Sequence, residues 1–471
     1  VGREVKTPCM IGRIMGIQNW FNRTLMSTWF REISVIDTEN LPKDRGAVMV
    51  SWHPGGLYDK MLTKGMIPGE QIYFDGIIND DTELDLIATE VANGANVVVF
   101  PEGESHESPK PNQIRDCAAK IALRSAELAG DNKPVIVPIG IHYSRKYYFR
   151  ERVALTIERP IEITGSIEQL NSIIASEISR ASHSSENWQD RVLIWKARSI
   201  IRAERFRLNP DLKKRVSYGE EVLGARRVRA AWEWFAKEDP EGCKLLENRT
   251  KEHMSKIESF SLKPRYIDTR PKSVTNKGFM ISIWWLLFAW SFMLGFVTLS
   301  AIIGSLPPLL VVVAGDKLIG SKLSQSRRGA MKLYVSFVAY PIWWAITAWA
   351  FTWTLTSDGS PLAKFAEYSV ILEFLFAVPS YAVFPLLLWW MPMAGKLQLT
   401  LQSKATIAWR RMRLWVMWRN PAFDWDKLCD EQRRLASDLV KIGDNLVLPG
   451  DDDWIEPSPG MEDFTSVSQR Q

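Results

Sequence analysis

Short apolar runs alternate with amphipathic ones through the first third of the chain. Ile33–Ile36, Ala47–Val50, Asn96–Phe100 and Val135–Ile141 are almost continuously apolar, the pattern of strands covered on both faces. Between them, Leu84, Ile87, Ala88 and Val91 fall on one face of a helix over residues 82–95 that ends near Gly94, and residues 114–128 form a second helix with an Ala-rich face. Strand alternating with helix predicts an α/β sheet with right-handed crossovers over residues 31–165. Upstream, Met10, Ile14, Ile17, Trp20, Phe21, Leu25 and Trp29 recur at near-helical spacing with Arg13, Arg23 and Arg31 among them. They predict an amphipathic helix within residues 1–30, packed on the α/β domain or lying in a membrane interface.

Residues 166–275 turn helical and strongly charged, and the pattern then changes again. Phe279–Gly315 contains no charged residue. Its 37 residues would make a helix of about 55 Å, too long for one crossing of a bilayer core of roughly 30 Å. Gly304 and Pro307-Pro308 offer a break, so two short spans or a hairpin are expected, with further spans near 333–355 and 370–393. About four spans thus fill residues 279–395, followed by a basic then mixed helical segment, 396–449, and an acidic tail, 450–471, of disordered composition.

The connector Asp316–Lys332 holds Lys317, Lys322, Arg327, Arg328 and Lys332 against one Asp, and Lys396–Arg419 is basic again. With an even number of spans, the positive-inside rule puts the α/β domain and the C-terminus on the cytoplasmic side of a multi-pass protein. Twenty-one tryptophans, concentrated late, suit a protein at the membrane interface. Cys9, Cys117, Cys243 and Cys429 have no metal or disulfide spacing, so neither a zinc site nor a disulfide framework is implied. No cleavable signal peptide is visible. Arg226, Arg227 and Arg229 with Trp232 and Trp234 imitate a nucleic-acid patch. Beside membrane segments they read better as a surface for anionic headgroups or an acidic acyl carrier, or simply as a solvated helix face.

Two turns carry the candidate chemistry. The run ending at Val50 is broken by His53-Pro54-Gly55-Gly56, which delivers a histidine to the end of a strand, and Asp59 follows after five intervening residues. A carboxylate that holds Nδ1–H leaves Nε2 as a general base. No serine or cysteine is placed to complete a triad, and a structural histidine with a helix-capping aspartate is the bland alternative. The second turn, Pro101-Glu102-Gly103-Glu104-Ser105, leaves the NVVVF strand; in a parallel sheet both turns open onto one edge. Arg145, Lys146, Arg150 and Arg152 cluster past the Val135 strand, and in extended backbone the last two share a face. They would grip a phosphate or protect a strand edge with charge. Lys110 is a further candidate, whereas His106 and His142 read as hydrogen-bonded structural residues.

The His53…Asp59 and FPEG blocks, with VIVPIGIHY running on to Ile163, resemble the glycerolipid acyltransferases, the glycerol-3-phosphate and lysophosphatidate acyltransferase superfamily. FPEGESHESPKP and the fourth block look most like its fungal-type glycerol-3-phosphate/dihydroxyacetone-phosphate branch. The family's common spacing has four residues between His and Asp where this chain has five. The second block survives only as Phe74-Asp75-Gly76-Ile77-Ile78, without its arginine.

The resemblance implies a membrane-embedded O-acyltransferase with no metal or organic cofactor. Its partners would be acyl-CoA or acyl carrier protein, a phosphorylated glycerol acceptor and the lipid bilayer, and no nucleic acid. His53 would be the base and Asp59 its orienting carboxylate. Glu102, Gly103 and Ser105 would shape the acceptor site, and Arg150 and Arg152, with Arg145, Lys146 and Lys110, would supply cations for the phosphate. A lysophosphatidate acyltransferase, a catalytically silent membrane scaffold, and a hydrolase using Ser51 or Ser105 are the alternatives.

Overall fold

The computed structural model describes the chain apart from residues 1–21, 68–70, 75–79, 147, 210, 213–215, 268–274, 293, 294, 296, 367, 369, 421–423, 456, 461–466 and 471. It divides into two compact units, Val1–Thr269 with Asp426–Gln471, and Arg270–Trp425.

The first unit is a mixed α/β fold. A short helix, α1 (22–29), leads into β1 (Glu32–Ile36), β2 (Ala47–Ser51), α2 (Leu57–Met66), β3 (Gln71–Phe74), α3 (Asp81–Ala92), β4 (Asn96–Val99), α4 (Cys117–Leu128), β5 (Val135–Tyr143), β6 (Arg152–Ile157) and β7 (Ile161–Glu162). The strand order is β1-β6-β5-β2-β4-β3, with β7 also on β5. Strands β2, β3, β4 and β5 are parallel, whereas β6 runs antiparallel to β5 and β1 parallel to β6. Val50 lies level with Val99 of β4 and Pro138 of β5, so the carboxyl ends of the three central strands form one rim. One face of the sheet is sealed by α4 and α5 (Ile167–Ala181), through Val48, Val50, Trp52, Val97 and Val99 against Ile121, Ala122, Leu170, Ile174 and Ile178. Apolar surface buried in this seam stabilises the sheet by about 25 cal/mol per Å².

Helices α6 (Trp188–Leu208), α7 (Tyr218–Glu238) and α8 (Pro240–Ser259) follow. Ser166 and Ser217 start α5 and α7 with capping boxes, in which the serine oxygen accepts the N3 amide and the N3 side chain accepts the cap amide. The arginine cluster of α7 is consumed internally: Arg226 pairs with Glu158 at 3.2 Å, Arg227 with Asp451 at 2.7 Å and Arg229 with Glu233 at 2.5 Å. The closing segment belongs to this same unit. Helix α15 (Trp425–Asp444) pairs Asp438 with Arg249 at 2.8 Å and Glu431 with Lys256 at 2.8 Å, both on α8. Leu446 and Leu448 are buried with Ala230 and Ala231 of α7. Where the composition predicts a disordered tail, β8 (Leu446–Val447) pairs with β9 (Ser468–Gln469), and Asp451 binds Arg227 and Arg470. Internal ion pairs supply the order that composition does not reveal.

The second unit is helical: α9 (Asn276–Phe292), α10 (Thr298–Leu318), α11 (Gln325–Thr356), α12 (Ala363–Ala366), α13 (Val370–Ala377) and α14 (Ser380–Arg419). Two segments among the described residues, Thr298–Lys322 and Arg327–Thr356, are long and apolar enough to cross a membrane. Two expectations are corrected. The uncharged stretch does not break at Pro307-Pro308, which lie inside α10. The carbonyls that those prolines deprive of helical partners, at Ile303 and Gly304, accept the indole N–H groups of Trp343 and Trp344 at 2.7 and 2.8 Å. The expected span over 370–393 is divided, because Pro379 is extended (ψ 139°) and caps α14.

Candidate active site

The apolar run of β2 carries the chain to the rim, and the His-Pro-Gly-Gly turn then reverses it into α2. Gly56, at φ 62°, is the helix N-cap, which places Asp59 in the first turn facing back toward His53. His53 Nδ1 donates to Asp59 Oδ2 at 2.9 Å, with His53 7 % exposed and Asp59 fully buried. The five-residue spacing therefore preserves the pair, because the two glycines absorb the extra residue.

Two more donors converge on Asp59: the Gly55 amide on Oδ2 at 2.6 Å and the Tyr143 hydroxyl on Oδ1 at 2.5 Å. A Cβ on Gly55 would lie 2.5 Å from that hydroxyl oxygen and 2.6 Å from Asp59 Oδ1, so only glycine fits. With Nδ1–H committed, the Nε2 lone pair of His53 is the basic atom. The ring stacks on Phe100, centroids 4.4 Å apart, which fixes its plane.

The FPEG turn is tied directly to this histidine. Glu102, 4 % exposed, accepts the His53 amide at 2.8 Å on one oxygen. Its other oxygen accepts the Asn112 amide at 2.8 Å and His106 Nε2 at 2.9 Å. With three protein donors on its two oxygens, Glu102 fastens the two loops together. Gly103 has φ 75°, and a Cβ there would sit 2.6 Å from the Arg115 guanidinium carbon, so it allows that side chain to lie against the loop. Ser105 is half-buried in the same loop.

The cation candidates separate. Lys146 alone comes to the dyad. Its ammonium is pulled down to about 8 by burial, opposed by Asp59, Glu107 and Glu102 and assisted by Arg191. Lys110 is exposed and pairs with Glu186 at 2.8 Å; Arg145 is exposed and pairs with Glu151 at 2.8 Å. Arg150 has φ 63° and sits in a turn, so the extended backbone that would align it with Arg152 does not exist. Arg152 bonds Glu221 of α7 at 3.0 Å and covers the Tyr218 ring, a structural role.

Ser51 is not placed as a nucleophile: it is buried and its hydroxyl donates to the Trp52 carbonyl at 3.1 Å. The Cys117 thiol is pushed up to about 11 by burial. His142 is pushed down to about 3 by burial and by Arg191 and Arg226, which makes it a neutral structural residue. Among the described residues no group of three His, Cys, Asp or Glu side chains could hold a metal ion. The second-block residues Asp75–Ile78 lie outside the described residues.

Sequence reasoning misses Tyr143, Arg115 and Arg191. Only Tyr143 carries a signal, as the last residue of a buried strand ending on the same rim.

No protein-family model matches the chain. Glycerol-3-phosphate O-acyltransferase 2 of Saccharomyces cerevisiae is 26% identical over 124 residues, a match that spans 24% of this chain and 17% of the yeast protein. The 1-acyl-sn-glycerophosphate (LPA) acyltransferase PlsC of Thermotoga maritima is a structural neighbour at 19% identity and a TM-score of 0.30, covering 36% of this chain and 79% of that one. The motif residues and the yeast relative agree, and what this chain resembles is the glycerolipid acyltransferase superfamily.

Proposed function

We propose that the protein is a membrane-bound O-acyltransferase that moves a fatty acyl group from acyl-CoA or acyl carrier protein to the hydroxyl of glycerol-3-phosphate or dihydroxyacetone phosphate. The observation that carries this reading is the His53–Asp59 pair, buttressed by Tyr143 and Gly55 and joined through Glu102 to the FPEG loop.

In the proposed reaction, His53 Nε2 removes the acceptor's hydroxyl proton as the oxygen attacks the thioester carbonyl. The tetrahedral adduct collapses, the C–S bond breaks, and His53 returns the proton to the leaving thiolate. Asp59 fixes the tautomer and stabilises the imidazolium, the role such a carboxylate plays in general-base catalysis. Lys146 offers positive charge beside the dyad for the acceptor's phosphate. The apolar helices keep the enzyme where its acylated product partitions.

The test is acyl transfer from labelled acyl-CoA by purified full-length protein beside His53→Ala, with glycerol-3-phosphate, dihydroxyacetone phosphate and lysophosphatidate as acceptors. Product made by the parent and lost in the variant supports the reading, and the acceptor used names the substrate. No product with any acceptor or either donor class sinks it in favour of a silent scaffold.

A further inference from the structure

Arg191 stands at the end of the first turn of α6, beyond the α/β motifs. Its guanidinium lies 5.9 Å from the ring centre of Trp52, the residue preceding His53, and 5.6 Å from that of Trp188. Lys146 Nζ lies 5.6 Å from the same Trp188 ring. Two cations thus share one indole, itself anchored by its Nε1 donating to the Glu107 carbonyl at 3.1 Å. The Arg191 Nη1 atom is buried without a hydrogen-bond partner, and among the described residues no carboxylate is within ion-pair distance of either cation. The nearby carboxylates of Asp59 and Glu102 already accept three donors each. An uncompensated buried guanidinium is costly, and such costs persist where a ligand relieves them.

We propose that Arg191, with Lys146, holds the phosphate of the acceptor, making a residue outside the α/β motifs the chief determinant of acceptor binding. This rests on the acyltransferase reading for the identity of the ligand, while the anion site itself stands on geometry. Two aromatic rings within 6 Å favour the guanidinium, and its fork suits two phosphate oxygens, whereas the Lys146 ammonium adds a point charge on the dyad's side. An acceptor so held would present its hydroxyl toward His53.

The experiment compares the parent with Arg191→Gln and Arg191→Lys in the full-length, membrane-reconstituted protein. Inorganic phosphate is the binding probe, read as thermal protection, and the KM values for acceptor and for acyl-CoA are measured separately. The acceptor KM is expected to rise about ten-fold or more in Arg191→Gln, the loss of a charge-assisted hydrogen bond, with kcat and the acyl-CoA KM little changed. Arg191→Lys falls between. Phosphate raises the melting temperature of the parent and not of Arg191→Gln, which melts no lower than the parent without phosphate because an unpaired buried charge has been removed. Equal phosphate protection in parent and Arg191→Gln overturns the anion site. An effect on the acyl-CoA KM alone assigns the guanidinium to the donor's phosphates and overturns the acceptor assignment. Because thermal protection needs no turnover, a parent that transfers no acyl group would refute the acyltransferase reading while this readout still decides the site.

Discussion

The indole N–H of Trp344 donates to the carbonyl of Gly304 at 2.8 Å, the acceptor that residue 308 would have used had it not been proline. Trp343 does the same for Ile303 and Pro307. Trp344→Phe keeps the ring and removes the donor, leaving a carbonyl without a partner in an apolar setting. A stability loss of about 1–3 kcal/mol is expected. Pro308→Ala restores a backbone N–H and should erase most of that loss. A double-mutant cycle of thermal denaturation in detergent measures the coupling, and additive effects would show that the indole is not serving the proline's carbonyl.

Gly55→Ala places a methyl group between Tyr143 and Asp59. The dyad must open, so turnover should fall by about a hundred-fold or more, the usual contribution of a positioned base. Tyr143→Phe, which deletes one of three donors to Asp59, should cost less. Single-turnover rates with circular dichroism as a folding control separate the two, and wild-type turnover in Gly55→Ala would deny the dyad its catalytic role.

Acceptor binding should weaken as pH rises through about 8, where Lys146 loses its proton. Burial sets that value, Asp59, Glu107 and Glu102 raise it, and Arg191 lowers it. Lys146→Arg, charged throughout, should abolish the alkaline rise in acceptor KM. An identical pH profile in the variant would assign the ionisation elsewhere.

His142 and His183 are both depressed by burial and by surrounding arginines, with ring centres 4.6 Å apart. The unfolded chain therefore binds more protons than the folded one below about pH 6.5. Stability from this pair is fully present above that pH and is lost as pH falls toward the folded value of about 3 for His142. Denaturant titrations at pH 7 and pH 5 should show a smaller acid loss for His142→Gln than for the parent.

Lys110→Ala and Arg145→Ala remove exposed cations whose ion-pair partners are Glu186 and Glu151. Acceptor KM should change less than about two-fold in either, since exposed pairs contribute little. A ten-fold rise in either would move the phosphate site to the outer loop.

The rim chemistry is legible in the sequence because it is local. An apolar run broken by Gly-Gly announces a strand end, and the helix after it sets the reach of Asp59 toward His53. The cations are not legible, because what separates Lys146 from Lys110 is tertiary: a partner 76 residues away neutralises Lys110, and Lys146 is turned inward onto Trp188. Arg191 sits in a helix of ordinary charged composition, and only the placement of Trp52 and Trp188 around it sets it apart. Prolines mislead in α10 for a similar reason, since the donors that accommodate them arrive from another helix.

Residues Asp426–Gln471 join the α/β unit only after the intervening helical unit has been synthesised. Arg227, Arg249 and Lys256 must wait for Asp451, Asp438 and Glu431, a delay of many seconds at translation rates of about 5–20 residues per second. Over that interval the nascent α/β unit has an unpaired cationic flank, so the apolar helices are made before the α/β unit is complete.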